Sequence, residues 1–171
     1  YNILSSKMSL SDMLSIGITT KGRVNELSQT LSIIEVSELK FCPIILIDDG
    51  GGGKFIEAED FDLNLSIYRY EQSKGLVARR NELAEICKTK YLMSLDDDSS
   101  PVRGSMTKVL SVLEAEDDIA AVALNLYNMI TSHLDINIPD FTTRYYVGCG
   151  HILNVAVFKE LGGYSDDLFY G

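Results

Sequence analysis

A continuous apolar run at residues 91–95, Tyr-Leu-Met-Ser-Leu, ends at three consecutive aspartates. Such a run predicts a strand buried on both faces, as in the interior of a parallel sheet. Ligands of open α/β sheets bind beyond the carboxyl ends of the strands, where Asp96, Asp97 and Asp98 lie. A hard divalent cation such as Mg²⁺ or Mn²⁺ would offset their mutual repulsion. A solvated acidic turn that caps the next helix explains the same residues, and both alternatives stay open.

Further apolar runs alternate with segments of helical periodicity along the chain. The pattern predicts strands at residues 13–19, 43–47, 65–70, 119–126 and 145–150, and helices starting near residues 23, 75, 105 and 154. A polar stretch at residues 128–143 is predicted to be an irregular loop. Strand–helix alternation favours an α/β fold with a mostly parallel sheet flanked by helices. We expect residues 1–171 to form a single domain, because no linker or repeat interrupts them.

The charge balance narrows the class of partner. Fifteen basic and 25 acidic residues give a formal net charge of −10, which argues against a nucleic-acid partner. The three cysteines are far apart and lack zinc-binding spacing, which is typical of free thiols in a reducing, cytoplasmic location. No apolar run is long enough for a membrane span, so any membrane association would depend on segments outside this sequence.

Two other segments are candidates for ligand binding. The predicted strand at residues 43–47 ends in Asp48 and Asp49, followed by four glycines. The glycines allow a close backbone approach to a ligand, although four in a row are equally typical of a flexible loop. Arg79 and Arg80 lie in the first turns of the next predicted helix, where cations oppose the helix dipole. An anionic ligand would explain the two arginines, and so would a solvated pair.

These motifs, in this order, resemble the nucleotide-binding half of GT-A-fold (Rossmann-like) glycosyltransferases of the large family-two type, which mostly invert the anomeric centre. The similar segments are LSIGITTKGR, IDDGGGG, GLVARRN, LDDD and GCGHILNVAVFKELGGYSDDLFYG. They resemble the family's first strand and turn, its V-D-D-G-S, G-L-x-x-A-R-N and D-x-D motifs, and its acceptor-side segment. Arg79 departs from the pattern, because the family usually has a small residue there.

The resemblance implies roles for individual residues. It implies a nucleotide-sugar site formed by Thr19, Thr20, Asp48, Asp49, Arg80, Asp96 and Asp97, and a Mn²⁺ or Mg²⁺ site formed by Asp98 and Asp96. Thr19 or Thr20 and Asp49 would contact base and ribose, with Asp48 in a structural role instead. Arg80 would lie against the base or diphosphate. Asp98 would bind the metal directly, and Asp96 would contact the ribose or support the metal through water.

The implied reaction is hexosyl transfer, with inversion, from a nucleoside-diphosphate sugar to a carbohydrate or other hydroxyl acceptor, as in polysaccharide biosynthesis. A UDP-sugar is the first expected donor. The family's general base follows the Tyr-Gly that is Tyr170-Gly171 here, so we expect the domain to be incomplete at this end and to transfer poorly. Two alternatives stay open: a sugar-phosphate nucleotidyltransferase, whose G-x-G-x-R loop is matched poorly, and a non-catalytic sugar-nucleotide-binding domain.

Overall fold

The computed structural model describes residues 8–101, 105–115, 119–128, 133–136 and 148–165. In chain order, the strands are β1 Leu14–Thr20, β2 Ile44–Asp49, β3 Leu65–Tyr70, β4 Tyr91–Asp96, β5 Ala121–Ala123, β6 Leu126–Asn128, β7 His133–Ile136 and β8 His151–Asn154. The helices are α1 Leu10–Met13, α2 Val24–Glu35, α3 Leu76–Ile86, α4 Met106–Ala115 and α5 Val155–Glu160. A short 3₁₀ helix covers Ala58–Asp60.

A six-stranded sheet with the strand order β3-β2-β1-β4-β8-β5 forms the centre of the molecule. The first four of these strands pair in parallel, so their carboxyl ends lie along one rim. Among the strands that the structure describes in this sheet, β8 alone runs in the opposite direction, antiparallel to both β4 and β5. The predicted α/β fold with a mostly parallel sheet is therefore confirmed.

The inner strands are apolar because both faces of the sheet are covered. All seven residues of β1 are buried, and so are all six of β2. On one face, Leu27 and Leu31 of α2 pack with Ile16 in the main core cluster. On the other face α3 approaches very closely, since a β-carbon at Gly17 would lie 2.9 Å from Leu83 Cδ1. Burying each large aliphatic side chain contributes about 1.5–3 kcal/mol to folding.

Local signals set the ends of the two helices that flank the site. Gly75 precedes α3 with a φ of +89°, a conformation that side chains disfavour. Asn154 begins α5, where its side-chain oxygen accepts the Val157 N–H at 3.4 Å. Gly162 follows the end of α5 with a φ of +87°, the left-handed conformation in which many helices end.

The later part of the chain corrects three sequence-based predictions. Residues 148–150 form a bend rather than the end of a strand, because Gly150 has a φ of +65°. The strand begins instead at His151 as β8, and residues 145–147 lie outside the described residues. The strand predicted at 119–126 is divided between β5 and β6. The predicted loop at 128–143 contains β7, which forms an antiparallel ribbon with β6. Among the described residues, no helix has the length and apolar character needed to cross a bilayer.

Candidate functional site

The parallel strands bring the predicted polar residues to one rim of the sheet. Strand alternation then divides them between the two faces. Thr20 is in register with Asp48, and Thr19 with Asp96. The residues that continue the face covered by α2 are Thr20, Asp48 and Asp97, and those that continue the face covered by α3 are Thr19, Asp49 and Asp96. The rim therefore presents two distinct sets of polar side chains.

Asp48 binds the glycine loop that follows it and the neighbouring strand β3. Its side chain is 2% exposed, and its oxygens accept the Gly51 N–H at 3.1 Å and Arg69 Nε at 3.2 Å. A β-carbon at Gly51 would lie 2.3 Å from Gly22 N, so only glycine fits where the two loops touch. The glycine run is thus packed at Gly51. A cavity of about 420 Å³ opens beside it, lined by Gly50, Gly52, Arg69, Tyr70 and Glu71.

Asp49 is fully engaged inside the protein. Its two oxygens accept Ser73 Oγ at 2.6 Å, the N–H groups of Lys74 and Gly75 at 2.8 and 2.9 Å, and Arg79 Nε at 2.6 Å. Burial alone would raise the pKa of Asp49, but these hydrogen bonds outweigh burial and lower the pKa to about 2. The predicted contact between Asp49 and a nucleoside stays a prediction, and four internal donors already satisfy this carboxylate.

Arg79 forms the other half of this buried cluster. Its side chain is 1% exposed, pairs with Glu82 at 2.6 Å and donates to the Gln72 carbonyl at 3.1 Å. Its guanidinium stacks on the Tyr70 ring at 3.7 Å, and the Tyr70 hydroxyl donates to Glu82. From the sequence, Arg79 was a candidate for an anionic ligand or a solvated pair with Arg80 and a departure from the family pattern, but its buried pairing with Asp49 and Glu82 was not predicted. The acid at the third following position was the available signal, since i,i+3 residues are neighbours on a helix.

Arg80 contacts the rim through Asp96. It is buried, and Arg80 Nη2 donates to Asp96 Oδ1 at 2.7 Å. Arg80 Nε has no hydrogen-bond partner among the described residues. A β-carbon at Gly148 would lie 2.7 Å from Arg80 Nη1, so the bend at Gly148 leaves the space that this guanidinium needs. The arrangement orients the Asp96 carboxylate, which is itself partly exposed at the end of β4.

Asp97 is held from three directions. Thr20 Oγ1 donates to one carboxylate oxygen at 2.7 Å, and Arg23 Nη1 contacts the other at 2.8 Å. Thr30 Oγ1 donates to the Asp97 carbonyl at 2.9 Å. Burial raises the pKa of Asp97, while the Thr20 hydroxyl and the charge of Arg23 oppose that increase. Its burial and its contacts favour a role in fixing the turn after β4.

Asp98 is the exposed acid of the three. Half of its side-chain surface is accessible, and Asp98 Oδ2 accepts Arg23 Nη2 at 2.8 Å. The part of the chain that the structure describes contains no group of three His, Cys, Asp or Glu side chains placed to bind a metal ion. One or two carboxylates completed by substrate phosphates are nevertheless the usual Mg²⁺ environment. The exposed oxygens of Asp98 and Asp96 fit that donor set.

Asn81 of α3 binds the residue that follows the Gly-Gly pair after α5 through both atoms of its side-chain amide. Asn81 Nδ2 donates to the Tyr164 carbonyl at 2.9 Å, and Asn81 Oδ1 accepts the Tyr164 N–H at 2.8 Å. The Tyr164 hydroxyl also lies 2.7 Å from Nε2 of the buried His151. Burial, followed by the charge of Arg80, lowers the pKa of His151 to about 4. His151 is therefore a neutral packing residue at pH 7.

Solved structures share this fold. The chain superposes on the Pyrobaculum calidifontis mannosyltransferase PcManGT in complex with GDP-Man and Mn²⁺, with a TM-score of 0.70, 14% identity and coverage of 91% of this chain and 48% of that one. S. aureus TarS 1–349 in complex with UDP gives a TM-score of 0.69 at 14% identity, with coverage of 93% of this chain and 52% of that one. GalNAc-T7 with UDP, GalNAc and Mn²⁺ gives a TM-score of 0.66 at 15% identity, with coverage of 93% of this chain and 38% of that one. These likenesses identify the fold as the GT-A fold.

Sequence comparison specifies the family. The model of glycosyl transferase family 2 matches residues 15–154, and the chain belongs to this family. The pre-mycofactocin glycosyltransferase of Mycobacterium tuberculosis is 23% identical over 161 residues, which cover 80% of this chain and 33% of that protein. An uncharacterized glycosyltransferase of Haemophilus influenzae is 26% identical over 107 residues, or 63% of this chain and 36% of that protein. This chain thus spans about a third of the length of these relatives.

Proposed function

We propose that this chain is the donor-binding part of a metal-dependent glycosyltransferase that moves a sugar, with inversion, from a nucleoside-diphosphate sugar to an acceptor hydroxyl. Membership of glycosyl transferase family 2 supports the reaction class. The observation that carries the proposal is the carboxylate rim, in which the ends of β2 and β4 lie beside Thr20 and leave Asp98 half exposed.

The nucleoside would bind beside Asp48. The cavity of about 420 Å³ adjoins this residue and has room for a base and part of a ribose. Asp48, whose oxygens accept two internal hydrogen bonds, is favoured as the nucleoside-contacting acid over Asp49, whose oxygens accept four. Thr19 and Thr20, at the adjacent end of β1, would border the same ligand.

Asp96 would contact the ribose, and Arg80 would orient Asp96 rather than touch the ligand itself. The buried position of Arg80 and its 2.7 Å contact with Asp96 support this division of roles. The neighbouring Asp97 would keep the turn after β4 in place through Thr20 and Thr30. Preorganisation of this kind removes part of the entropic cost of binding.

Asp98, with Asp96, would hold Mn²⁺ or Mg²⁺ against the two phosphates of the donor. Mn²⁺ accompanies the nucleotide in the PcManGT and GalNAc-T7 structures, which supports this assignment. The bound ion would neutralise the charge that develops on the leaving diphosphate. The acceptor proton would pass to a carboxylate of the acidic pair that follows Tyr-Gly in the family.

A thermal-shift screen of UDP-, GDP- and dTDP-sugars with and without Mn²⁺ tests the proposal. A donor present at 100 times its dissociation constant stabilises the folded state by about 2.7 kcal/mol, so the melting temperature should rise in the presence of Mn²⁺. We expect a UDP-sugar to give the largest rise.

Asp98→Asn should abolish the Mn²⁺-dependent rise. Asp62→Asn is the matched control, because Asp62 is an exposed acid that pairs with Lys40 away from the rim. The proposal is wrong if no sugar nucleotide stabilises the chain with Mn²⁺, or if Asp98→Asn and Asp62→Asn behave alike.

A further inference from the structure

Arg23 lies where a cation on Asp98 would act. It immediately precedes α2, and its two terminal nitrogens contact different carboxylates, Asp97 and Asp98, each at 2.8 Å. The side chain is 46% exposed, so it can change partners without disturbing the core. Arginine suits this position because its planar fork can bind two anionic groups at once, whether carboxylates or phosphates.

The two acids that Arg23 contacts differ in exposure and in their other partners. Asp97 is buried and held by Thr20, so this end of the bridge is fixed. Asp98 is half exposed, and its contact with Arg23 can be exchanged for a contact with another cation. Arg23 can therefore stay anchored to Asp97 while it releases Asp98.

The local charge balance depends on what is bound. Asp97, Asp98 and Arg23 together carry one net negative charge at neutral pH. A divalent cation on Asp98 would make the group net positive and would lie a few ångströms from the guanidinium, which is unfavourable. A nucleoside diphosphate brings at least two negative charges and supplies the released guanidinium with a new partner.

We propose that Arg23 couples cation binding to nucleotide binding: it weakens the binding of a divalent cation to Asp98 when no diphosphate is present, and it binds the diphosphate once Asp98 holds the cation. This inference rests on the proposed function and adds the order of events at the site. Each ligand then strengthens the binding of the other, as thermodynamic reciprocity requires.

The test compares Mn²⁺ affinity with and without a nucleoside diphosphate. Free Mn²⁺ is measured by electron paramagnetic resonance during titration of the chain, alone and with saturating UDP, and with GDP in parallel. UDP and GDP affinities at saturating Mn²⁺ are measured by calorimetry. The variants are Arg23→Gln, Arg23→Lys and Asp98→Asn. Lys90→Gln is the matched control, since Lys90 forms an exposed ion pair with Glu114 and its loss changes the net charge equally.

Arg23→Gln should bind Mn²⁺ alone at least about threefold more tightly, because a competing positive charge is removed. The same variant should bind the diphosphate in the presence of Mn²⁺ about tenfold more weakly, because a charged hydrogen-bond donor is lost. Both affinities of Arg23→Lys should lie between those of Arg23→Gln and those of the unmodified chain, since lysine keeps the charge but not the planar fork of arginine. Lys90→Gln should match the unmodified chain.

Two results would overturn the inference while leaving the proposed function intact. One is unchanged or weaker Mn²⁺ binding by Arg23→Gln in the absence of nucleotide, and the other is unchanged diphosphate affinity in its presence. Either result leaves the proposed function intact only if Asp98→Asn still reduces the affinity for Mn²⁺. If the unmodified chain binds no Mn²⁺ with either diphosphate, or if Asp98→Asn has no effect, the metal-dependent function fails and the inference fails with it.

Discussion

Asp49, at the end of β2, and Asp98, just after the end of β4, lie on the same rim with β1 between their strands, yet their surroundings are opposite. Asp49 is buried and accepts four internal hydrogen bonds, one of them from the fully buried Arg79. Asp98 is half exposed and contacts Arg23, which is itself 46% exposed. Asp49 thus attaches α3 to the sheet, whereas Asp98 remains accessible to a ligand, and the burial of the arginine partner distinguishes these two acids.

The largest difference should come from the two arginines. Arg79→Met should lower the free energy of unfolding by about 3–5 kcal/mol, because it leaves buried carboxylates without their cation. Arg23→Gln should lower it by about 0.5 kcal/mol or less, as expected for an exposed pair. Urea denaturation of both variants measures the difference. Equal losses would show that the two strand ends do not differ in the way proposed.

The next difference between Asp49 and Asp98 should appear in how stability depends on pH. The pKa of Asp49 is lowered from 3.8 to about 2, so its ionised form stabilises the folded state by about 2 kcal/mol at pH 7. Because the pKa is lowered, this contribution is complete above about pH 4 and is lost as the pH falls towards 2. Carboxyl-carbon NMR gives the pKa, and urea denaturation at pH 5 to 3 gives its effect on stability. Asp49→Asn should remove this part of the acid dependence, whereas Asp98→Asn should keep it.

A smaller loss of stability is expected when the hydrogen bond between Thr20 and Asp97, just after β4, is removed. Thr20→Val removes the hydroxyl that donates to buried Asp97 and should cost about 1–2 kcal/mol of stability. The pKa of Asp97 should rise further, because that hydrogen bond opposes the effect of burial. Denaturation and carboxyl NMR measure both changes. Ser32→Ala, at an exposed helical serine, is the control and should change stability little.

The smallest change in stability should come from Asp98→Asn. It removes one half-exposed ion pair and should alter the free energy of unfolding by about 0.5 kcal/mol at most. The same substitution should nevertheless abolish Mn²⁺-dependent stabilisation by the donor. A large stability loss in urea, with donor binding intact, would reverse the roles assigned to the two strand ends.

The fold was largely predictable because its signals are local. The apolar runs of β1, β2, β3 and β4 and the helical periodicity of α2 follow from residues adjacent in sequence. The prediction was wrong for β8 and for β7, where short strands follow glycine or polar residues. Strands of four residues show little periodicity in sequence. Their positions depend on pairing with other strands, β8 with β4 and β7 with β6.

The position of the candidate residues on the sheet was predictable, but their contacts with one another were not. The sequence indicated that Asp48, Asp49, Asp96 and Asp98 would meet at one rim, because the carboxyl ends of parallel strands do so. It did not indicate that Arg69 binds Asp48 or that Arg23 bridges Asp97 and Asp98. No spacing rule reports such contacts.

The amino-acid sequence by itself determined a parallel sheet with an acidic rim, since buried strands that end in aspartates leave few alternatives. Only the tertiary structure decided which aspartate is committed to the fold and which stays accessible. The reason is that each acid depends on an arginine brought in from elsewhere, with Arg79 reaching Asp49 across 30 positions and Arg23 reaching Asp98 across 75. Burial, and with it the strength of each ion pair, exists only once those elements have packed together.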